Sequence, residues 1–322
     1  KRKGQQGDIV HPMDELYPLF AYIKKHDIPT VWTLHDCWAY TGHCAFYDYA
    51  ACDKWKTGCH DCIHHAKVYP YALLKDNSIA SYNRKRKAFC GVKNMTIVTP
   101  SQWLKGQLAE SFLKEYPVEV IYNGINLDVF KPSEDPDIKK KTPCPVVLGV
   151  ANVWEHRKGL NYFRKLARDL PDNCRIRLIG VNKKQIRELS KEFGDKMILE
   201  SRTANQEELA KAYQEATVFV NATLEDNFPT TNLEALACGT PVVTYRTGGS
   251  GESITEDSGI VVYRASYDRL LAAVQDVVNG VKVFSTQDCR KRAMEYDRHA
   301  RYQEYLELYT RILDKAGEHS KA

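Results

Sequence analysis

The chain has 322 residues, of which 43% are hydrophobic and 27% charged, a balance typical of a soluble globular protein and not of a disordered one. No apolar run approaches the ~20 residues that span a bilayer, and the opening Lys1-Arg2-Lys3-Gly4 lacks the apolar segment of a signal peptide. With a net charge of only +5, we expect a cytoplasmic protein with room for two α/β domains.

The first part of the chain alternates strand and helix patterns irregularly. Strands are expected at residues 8–11, 30–34, 95–99 and 118–122, and helices at 14–26, 79–89 and 102–114. A complete Rossmann half would begin with a buried strand and a glycine-rich turn. The polar start and the short strand pattern at 8–11 instead predict that this first domain is incomplete.

The expected helix at 79–89 carries the basic run Arg84-Lys85-Arg86-Lys87. Such a run is typical of a solvated helix face. The functional alternative is peripheral contact with anionic lipid headgroups at the inner face of a membrane. We expect no nucleic-acid partner, because no basic stripe is interleaved with aromatic residues.

A cysteine-rich segment, residues 37–65, follows the expected strand at 30–34. Four of its cysteines have spacings that suit a structural zinc ion, because Cys59 and Cys62 form a C-x2-C knuckle that Cys44 and Cys52 can complete. His43, His60 and His64 are alternative ligands. Free thiols and disulfides are the competing interpretations, and a reducing cytoplasm disfavours the disulfides.

A polar, proline-containing stretch at 131–143 predicts a linker. After it, strands are expected at 146–150, 175–179, 196–199, 218–221, 242–245 and 260–263, with helices at 160–170, 183–193 and 206–215. Strict alternation of this kind predicts a parallel sheet covered on both faces. We therefore expect domains at 1–141 and 142–299, followed by a last helix at 300–322.

Residues 224–243, LEDNFPTTNLEALACGTPVV, form the most informative stretch of the chain. The pattern predicts a loop, a short helix and a buried strand, with Asp226 and Glu234 bracketing seven residues. Unpaired N–H groups and the positive dipole end at a helix start attract anions, and a nearby carboxylate can accept sugar hydroxyls. The stretch favours a sugar attached to phosphate over a surface loop with a capping threonine.

This stretch closely resembles the E-x7-E signature of retaining glycosyltransferases of family 4, with Asp226 in place of the first Glu. The resemblance covers nearly the whole chain, most closely from Thr30 onward, and is greatest to bacterial enzymes of colanic-acid and capsule type. It implies the GT-B fold, in which two Rossmann-like α/β domains face each other across a cleft and the last helix crosses back onto the first domain.

The resemblance also implies roles for individual residues. Glu234 matches the acceptor of ribose hydroxyls, Asp226 matches the carboxylate near the transferred sugar, and Lys158 matches a cation on the diphosphate. The family usually pairs that lysine with an arginine, whose position falls on Asn152 here, and Arg157 is the candidate substitute.

Further candidates lie at the helix start, near the base and on the acceptor side. They are the phosphate-binding stretch Thr230, Thr231, Asn232 and Leu233, then Arg202 for the base or ribose, and His35 for the transferred sugar. Arg202 is otherwise a surface arginine and His35 a structural hydrogen-bonding group. The relatives that are similar here also carry the four candidate zinc ligands.

The resemblance predicts transfer of a sugar from a nucleotide diphosphate to a hydroxyl of a glycan or lipid-linked acceptor in surface polysaccharide synthesis. Lys158 and helix N–H groups would stabilise the leaving group, so we expect no catalytic metal. The alternatives are a nucleotide-sugar epimerase of similar fold, and a zinc-knuckle module that binds nucleotide without turnover. No convincing acid–base pair supports the epimerase.

Overall fold

The computed structural model of the chain describes residues 13–63, 65–66, 70, 75–135, 137–263 and 266–319. The expected strand at 8–11 and the alternative zinc ligand His64 lie outside these residues. Contacts divide the chain into two compact units. The first unit contains the described residues up to Ile121 and from Leu306 onward, and the second unit is Tyr122–Tyr305.

The first unit contains a parallel sheet of three strands. Its elements are α1 (Met13–His26), β1 (Thr30–Thr33), α2 (Ser78–Phe89), β2 (Met95–Thr99), α3 (Gln102–Leu108) and β3 (Val118–Val120). The strands lie in the order β1-β2-β3, with Thr30 opposite Met95 and Ile97 opposite Val118. The helical crossovers between them are what parallel neighbours require.

Helix α3 ends earlier than the sequence pattern predicts, at Leu108 and not at 114. The side chain of Ser111 explains the stop. Its hydroxyl donates to the Leu108 carbonyl over 2.8 Å and accepts from the Leu113 amide over 3.0 Å. A serine that bonds the local backbone in this way competes with helical hydrogen bonds, so the chain turns here.

An aromatic cluster centred on Phe89, which is fully buried, joins α1 and α2 to β1. Its ring centroid lies 4.7 Å from that of Phe20 and 4.8 Å from that of Trp32. Edge and tilted ring contacts at these separations add to the stabilisation from burial. The cluster positions the chain that leaves β1 toward His35.

Lys85 corrects the interpretation of the basic run as a solvated face, because its side chain is 0% exposed whereas Arg84, Arg86 and Lys87 are exposed. Its Nζ donates to the carbonyl oxygens of Trp38 and Thr41, at 2.6 and 3.0 Å, and lies 3.6 Å from the centroid of the Trp38 ring. Burial lowers the pKa of Lys85 to about 7. The lysine therefore secures the backbone that follows β1.

Replacing Lys85 with methionine is expected to lower the free energy of unfolding by about 2–4 kcal/mol, because two buried carbonyl groups lose their donor. Urea denaturation of the whole chain measures the change. Lys87→Met serves as the matched control, since the Lys87 side chain is exposed, and should cost less than about 0.5 kcal/mol. Equal losses in both variants would contradict this role for Lys85.

The second unit contains a sheet of six parallel strands in the order β6-β5-β4-β7-β8-β9. Its strands are β4 (Val146–Val150), β5 (Arg175–Ile179), β6 (Met197–Glu200), β7 (Val218–Asn221), β8 (Val242–Tyr245) and β9 (Gly259–Val262). All six strands that the sequence predicts after residue 143 are present, within one residue at most of their ends.

Helices of the second unit cover both faces of this sheet, as expected. They are α4 (Leu160–Asp169), α5 (Lys183–Phe193), α6 (Gln206–Glu215), α7 (Thr230–Ala237), α8 (Tyr267–Val278), α9 (Thr286–Met294) and the start of α10 (Arg298–His319). Helices α8 and α9 were not among the predicted elements. Two clusters of buried apolar residues, one centred on Phe163 and Ile176 and the other on Phe219 and Leu236, form its core.

The stretch expected as a linker, 131–143, belongs to the second unit, and the division between the units falls at Ile121 and Tyr122. Specific hydrogen bonds explain this position. Arg290 donates to the carbonyls of Phe130 and Leu127, at 2.6 and 3.1 Å, and Lys139 donates to Gly239 at 3.0 Å. Proline and charged residues thus mark a connection that is hydrogen-bonded to α9 and to the chain after α7 in the second unit.

Helix α10 continues from the second unit into the first, whose share begins at Leu306. Within the first unit Leu308 is buried, and Arg311 donates to Glu119 of β3 over 2.7 Å. Among the residues that the structure describes, no helix combines the length and the apolar character needed to cross a membrane.

Candidate functional site

The candidate site of the second unit lies where the strand order of its sheet changes direction. From β4 the chain builds β5 and β6 on one side, and it then returns to place β7, β8 and β9 on the other. In parallel α/β sheets, ligands bind beyond the carboxyl ends of the two strands at such a point. Lys158 follows β4 and Asp226 follows β7, so the two strands carry the two predicted catalytic side chains of this unit.

Lys158 and Asp226 form an ion pair, with 2.6 Å between Nζ and Oδ2. The side chains are 26% and 17% exposed, so both remain accessible to a small ligand. The structure thus brings together two residues that lie 68 positions apart in the sequence. A cation held at the surface by one carboxylate can exchange that partner for another anion.

Backbone contacts hold the loop after β4 against the loop after β7. The amide of Leu224 donates to the carbonyl of Arg157 over 2.7 Å. Gly159 has a φ of +81°, and a Cβ there would lie 2.2 Å from the Ala222 carbonyl oxygen. Only glycine permits that approach, so the position of Lys158 depends on the residue that follows it.

Helix α7 begins at Thr230, and Pro229 at its N-cap provides no side-chain hydrogen bond. The first amides of a helix lack partners within the helix, and the positive end of the dipole lies at the same place. This end of α7 is therefore suited to an anion such as phosphate. The partly buried Thr231 lies in the first turn.

Two of the predicted phosphate-binding residues have side chains that cannot reach a ligand, because Asn232 and Leu233 are fully buried. The Asn232 amide group donates to the Ser250 carbonyl over 3.0 Å, and its oxygen accepts from Asn221 over 2.9 Å. Asn232 therefore connects α7 to β7 and to the turn at Ser250. The predicted phosphate binding therefore concerns the backbone N–H groups at the start of α7, of which the Asn232 amide already donates to the Pro229 carbonyl over 3.2 Å.

Glu234, one turn further into α7, is partly buried and accepts a hydrogen bond from the Tyr213 hydroxyl over 3.0 Å. Burial raises the pKa of the Glu234 carboxyl, and hydrogen bonds from the Tyr213 and Thr230 side chains counteract part of that rise. Tyr213 was not among the predicted site residues. The amphipathic pattern of α6 contains no sign of this contact.

The loop after β8 completes the surroundings of the α7 N-terminus. Gly248 has a φ of +51°, and the amide of Gly249 donates to the Asn227 carbonyl over 2.9 Å. The Thr247 hydroxyl donates to the Thr223 carbonyl over 3.1 Å. The loops after β7 and β8 are thus joined by hydrogen bonds, which limits their movement when a ligand binds.

The structure places the two predicted arginines differently. Arg157 adjoins Lys158, and its Nε lies 3.6 Å from a Glu155 carboxylate oxygen. Arg202 is exposed after β6, at the carboxyl edge of the sheet but two strands from β4. Its neighbour Glu200 is engaged by Arg177 over 2.6 Å.

His35 of the first unit lies just beyond the carboxyl end of β1 and is exposed. The next residue, Asp36, accepts a hydrogen bond from the Trp38 amide over 2.8 Å, which begins a short 3-10 turn at Trp38–Tyr40. Lys85 donates to the carbonyl of Trp38. His35 therefore precedes a turn that hydrogen bonds hold in place.

The structure provides no support for the predicted zinc site. Cys44, Cys52, Cys59 and Cys62 line one cavity of about 330 Å³, but across the described ranges no three His, Cys, Asp or Glu side chains are arranged to hold a metal ion. The Cys59 sulfur accepts the Gly42 amide over 3.1 Å, and burial raises the pKa of this thiol to about 11. None of the ten cysteines, all of which lie in the described residues, forms a disulfide.

Aromatic packing accounts for the order of the cysteine-rich segment. Trp55 and Tyr40 are almost fully buried, and their ring centroids lie 5.2 Å apart. Tyr47 stacks on Trp55 at 4.8 Å and donates its hydroxyl hydrogen bond to Gln107 over 2.9 Å. A long loop can be stabilised by its own buried side chains, and this one is.

Comparison with known families identifies two matching regions. Residues 131–296, more than half of the chain, match the family Glycosyl transferases group 1, and residues 2–129 match Glycosyltransferase Family 4. The prediction of a family 4-type glycosyltransferase is confirmed.

Curated relatives include the putative colanic acid biosynthesis glycosyl transferase WcaC of Escherichia coli, 25% identical over 79% of this chain and 60% of the relative. Another is N,N'-diacetylbacillosaminyl-diphospho-undecaprenol alpha-1,3-N-acetylgalactosaminyltransferase of Campylobacter jejuni, 27% identical over 62% of this chain and 56% of the relative. The chain thus spans less than two thirds of the length of these relatives.

Solved structures support the fold. Sucrose-phosphate synthase of Thermosynechococcus elongatus aligns with a TM-score of 0.67 at 19% identity, over 96% of this chain and 82% of that one. Anabaena Alr3699/HepE, solved in complex with UDP-glucose, aligns with a TM-score of 0.64 at 15% identity, over 92% and 76%. The predicted α/β class with two Rossmann-like domains is confirmed.

Proposed function

Because this chain belongs to the Glycosyl transferases group 1 family, we propose that it transfers a sugar from a nucleotide diphosphate to a hydroxyl group of a glycan or lipid-linked acceptor in surface polysaccharide synthesis. The transfer retains the anomeric configuration. The observation that carries the proposal is that Lys158 follows β4, while its partner Asp226 and then α7, whose N-cap makes no side-chain hydrogen bond, follow β7. The strand order changes direction at these two strands.

The donor's diphosphate binds at the start of α7. Two kinds of positive potential are available there, the helix amides and dipole and the ammonium group of Lys158. Incoming phosphate oxygens displace Asp226 from Lys158, because a diphosphate carries more negative charge than one carboxylate. Asp226 is then free to accept a hydroxyl of the transferred sugar. Binding of the donor thus also frees the Asp226 carboxylate to contact the sugar.

The nucleoside lies farther along α7, where Glu234 accepts the ribose hydroxyls. Arg157 and Arg202 are additional cations for the phosphates and for the base or ribose. As the glycosidic bond breaks, negative charge grows on the departing phosphate, and Lys158 with the helix amides stabilises that charge. No carboxylate nucleophile is needed, so the paired carboxylates of glycosidases are not a guide here.

On the acceptor side, His35 contacts the transferred sugar. The acceptor hydroxyl attacks from the face that the nucleotide leaves, which preserves the configuration. Arg84, Arg86 and Lys87 are exposed on α2 and suit peripheral contact with an anionic membrane, where a lipid-linked acceptor would be presented. The enzyme would then work at the cytoplasmic face.

A panel of UDP-, GDP- and ADP-sugars tests the proposal. We expect one nucleotide class to raise the melting temperature by several degrees at saturating concentration, as binding to the native state requires. The same class should release free nucleotide slowly by hydrolysis when no acceptor is present. Binding without turnover would indicate a binding module, a new sugar isomer would indicate an epimerase, and either result would overturn the proposed transfer.

A further inference from the structure

Tyr213, on α6, is a fully buried tyrosine whose hydroxyl meets the carboxylate of Glu234 on α7. Its ring lies edge-on to Phe219, with 5.4 Å between the centroids, and to Phe130, with 6.2 Å. The Tyr213 carbonyl oxygen accepts the hydroxyl of Thr240 over 2.6 Å. Ring and backbone are both held, so the hydroxyl has one well-defined position.

Glu234 would have less defined geometry without this contact. A glutamate side chain has several rotatable bonds, and ordering it when a ligand arrives costs conformational entropy. A carboxylate that is already oriented avoids that cost, and the same contacts then bind the ligand more tightly. The hydroxyl of Tyr213 can donate only one hydrogen bond, and Glu234 receives it.

We propose that Tyr213 is a positioning residue for the donor site, because its hydroxyl orients the Glu234 carboxylate to accept the ribose hydroxyls of the nucleotide sugar. The inference rests on the proposed function and assigns to α6 a part in it. Tyr213 itself does not touch the ligand. It acts through Glu234 and belongs to the rigid wall behind the nucleoside.

The contact also affects the charge of Glu234. Burial raises the pKa of this carboxyl, and the hydrogen bond from Tyr213 lowers it. Removal of the hydroxyl therefore raises the pKa further. Cys238, the residue just after α7, interacts electrostatically with Glu234, Arg290 and Lys139, and burial raises the pKa of its thiol to about 12. Tyr213 and Thr230 are the side chains that bond Glu234 directly.

Tyr213→Phe tests the proposal, because it keeps the ring and removes only the hydroxyl. We expect the KM for the nucleotide sugar, and the Kd for the matching free UDP, GDP or ADP, to rise about 5- to 20-fold, while kcat changes less than twofold. The pH below which affinity falls should also move upward. If the role of Tyr213 were purely structural, Tyr213→Phe would lower the melting temperature. It would not raise KM selectively over kcat, and it would not shift the pH profile of affinity.

Tyr267→Phe is the matched control, since the Tyr267 hydroxyl also donates to a carboxylate, that of Asp169, elsewhere in the same unit. It should leave both KM and the pH profile unchanged. A double variant provides a second test that does not leave an ionised carboxylate without its donor. In the Glu234→Ala background, which has no side-chain oxygen to accept from Tyr213, Tyr213→Phe should cause no further loss of affinity, because coupled residues are not additive.

Wild-type protein that binds none of the nucleotides would overturn the proposed function, and the inference with it. Wild-type protein that binds one of them, with Tyr213→Phe equal to it in KM and pH profile, would overturn the inference alone. Fully additive losses in the double variant would do the same, because Tyr213 would then act independently of Glu234.

Discussion

Lys158→Ala is expected to reduce kcat by about 10²- to 10³-fold, the loss typical of removing one preorganised group that stabilises charge in the transition state. Nucleotide affinity should fall far less, by about tenfold, because the amides of α7 still bind the phosphates. The ion pair with Asp226 strengthens this expectation, since in the proposed function Lys158 exchanges that carboxylate for the phosphate on binding. Steady-state kinetics and calorimetry with the free nucleotide separate the two effects.

Lys184→Ala is the control for this variant. Lys184 lies in the first turn of α5, its side chain is 80% exposed, and it forms only a distant surface pair with Glu188. The Lys184→Ala substitution removes the same charge from the same unit as Lys158→Ala, so a general electrostatic effect would appear in both variants. If Lys158→Ala kept full turnover, or lost affinity and turnover by the same factor, Lys158 would not serve the leaving group.

Glu234→Ala is expected to weaken binding of the nucleotide by about 10- to 100-fold, because the ribose hydroxyls lose a charged acceptor and charge-assisted hydrogen bonds are the stronger ones. The Tyr213 hydroxyl is also left buried without a partner, which costs about 1–3 kcal/mol of stability. Calorimetric titration with the free nucleotide and thermal unfolding without ligand measure these two effects separately.

Glu207→Ala supplies the comparison, since Glu207 is exposed in the first turn of α6. It should leave the affinity for nucleotide unchanged. If Glu234→Ala bound the nucleotide sugar more weakly but bound the free nucleotide normally, Glu234 would be assigned to the transferred sugar and not to the ribose. Unchanged affinity in both glutamate variants would remove Glu234 from the site.

Much of the second unit could be predicted from the sequence, because the patterns that indicate its strands and site residues each span only a short stretch of the chain. Buried parallel strands appear as short apolar runs, and the spacing of Asp226 and Glu234 is visible in one stretch of the chain. Lys158 and Asp226 lie 68 positions apart, so their assignment to one site came from the resemblance to a family and not from a local pattern. Their contact required the structure, because two strands become neighbours through the sheet order and not through the sequence.

Sequence patterns are least informative where a residue's environment differs from what is usual for its type. The basic run predicts a solvated helix face, although carbonyl groups and an aromatic ring compensate the burial of Lys85. The sequence predicted a phosphate site on the backbone at the start of α7, and the structure adds that the Asn232 side chain is bonded inside the protein, to Asn221 and Ser250. For the cysteines, spacing predicted a metal site that finds no support in the described residues, where Tyr40, Tyr47 and Trp55 pack together in the same segment.

Periodicity and composition were enough to predict an α/β chain with parallel sheets. Asp226 and Glu234, with the start of a helix between them, were enough to suggest a ligand that contains phosphate and sugar. These properties depend on neighbours along the chain. The partner of Lys158, the burial of Lys85 and Asn232, and the approach of Tyr213 to Glu234 depend on neighbours in space. Close packing and sheet order bring such groups together, and one-dimensional patterns do not encode that proximity.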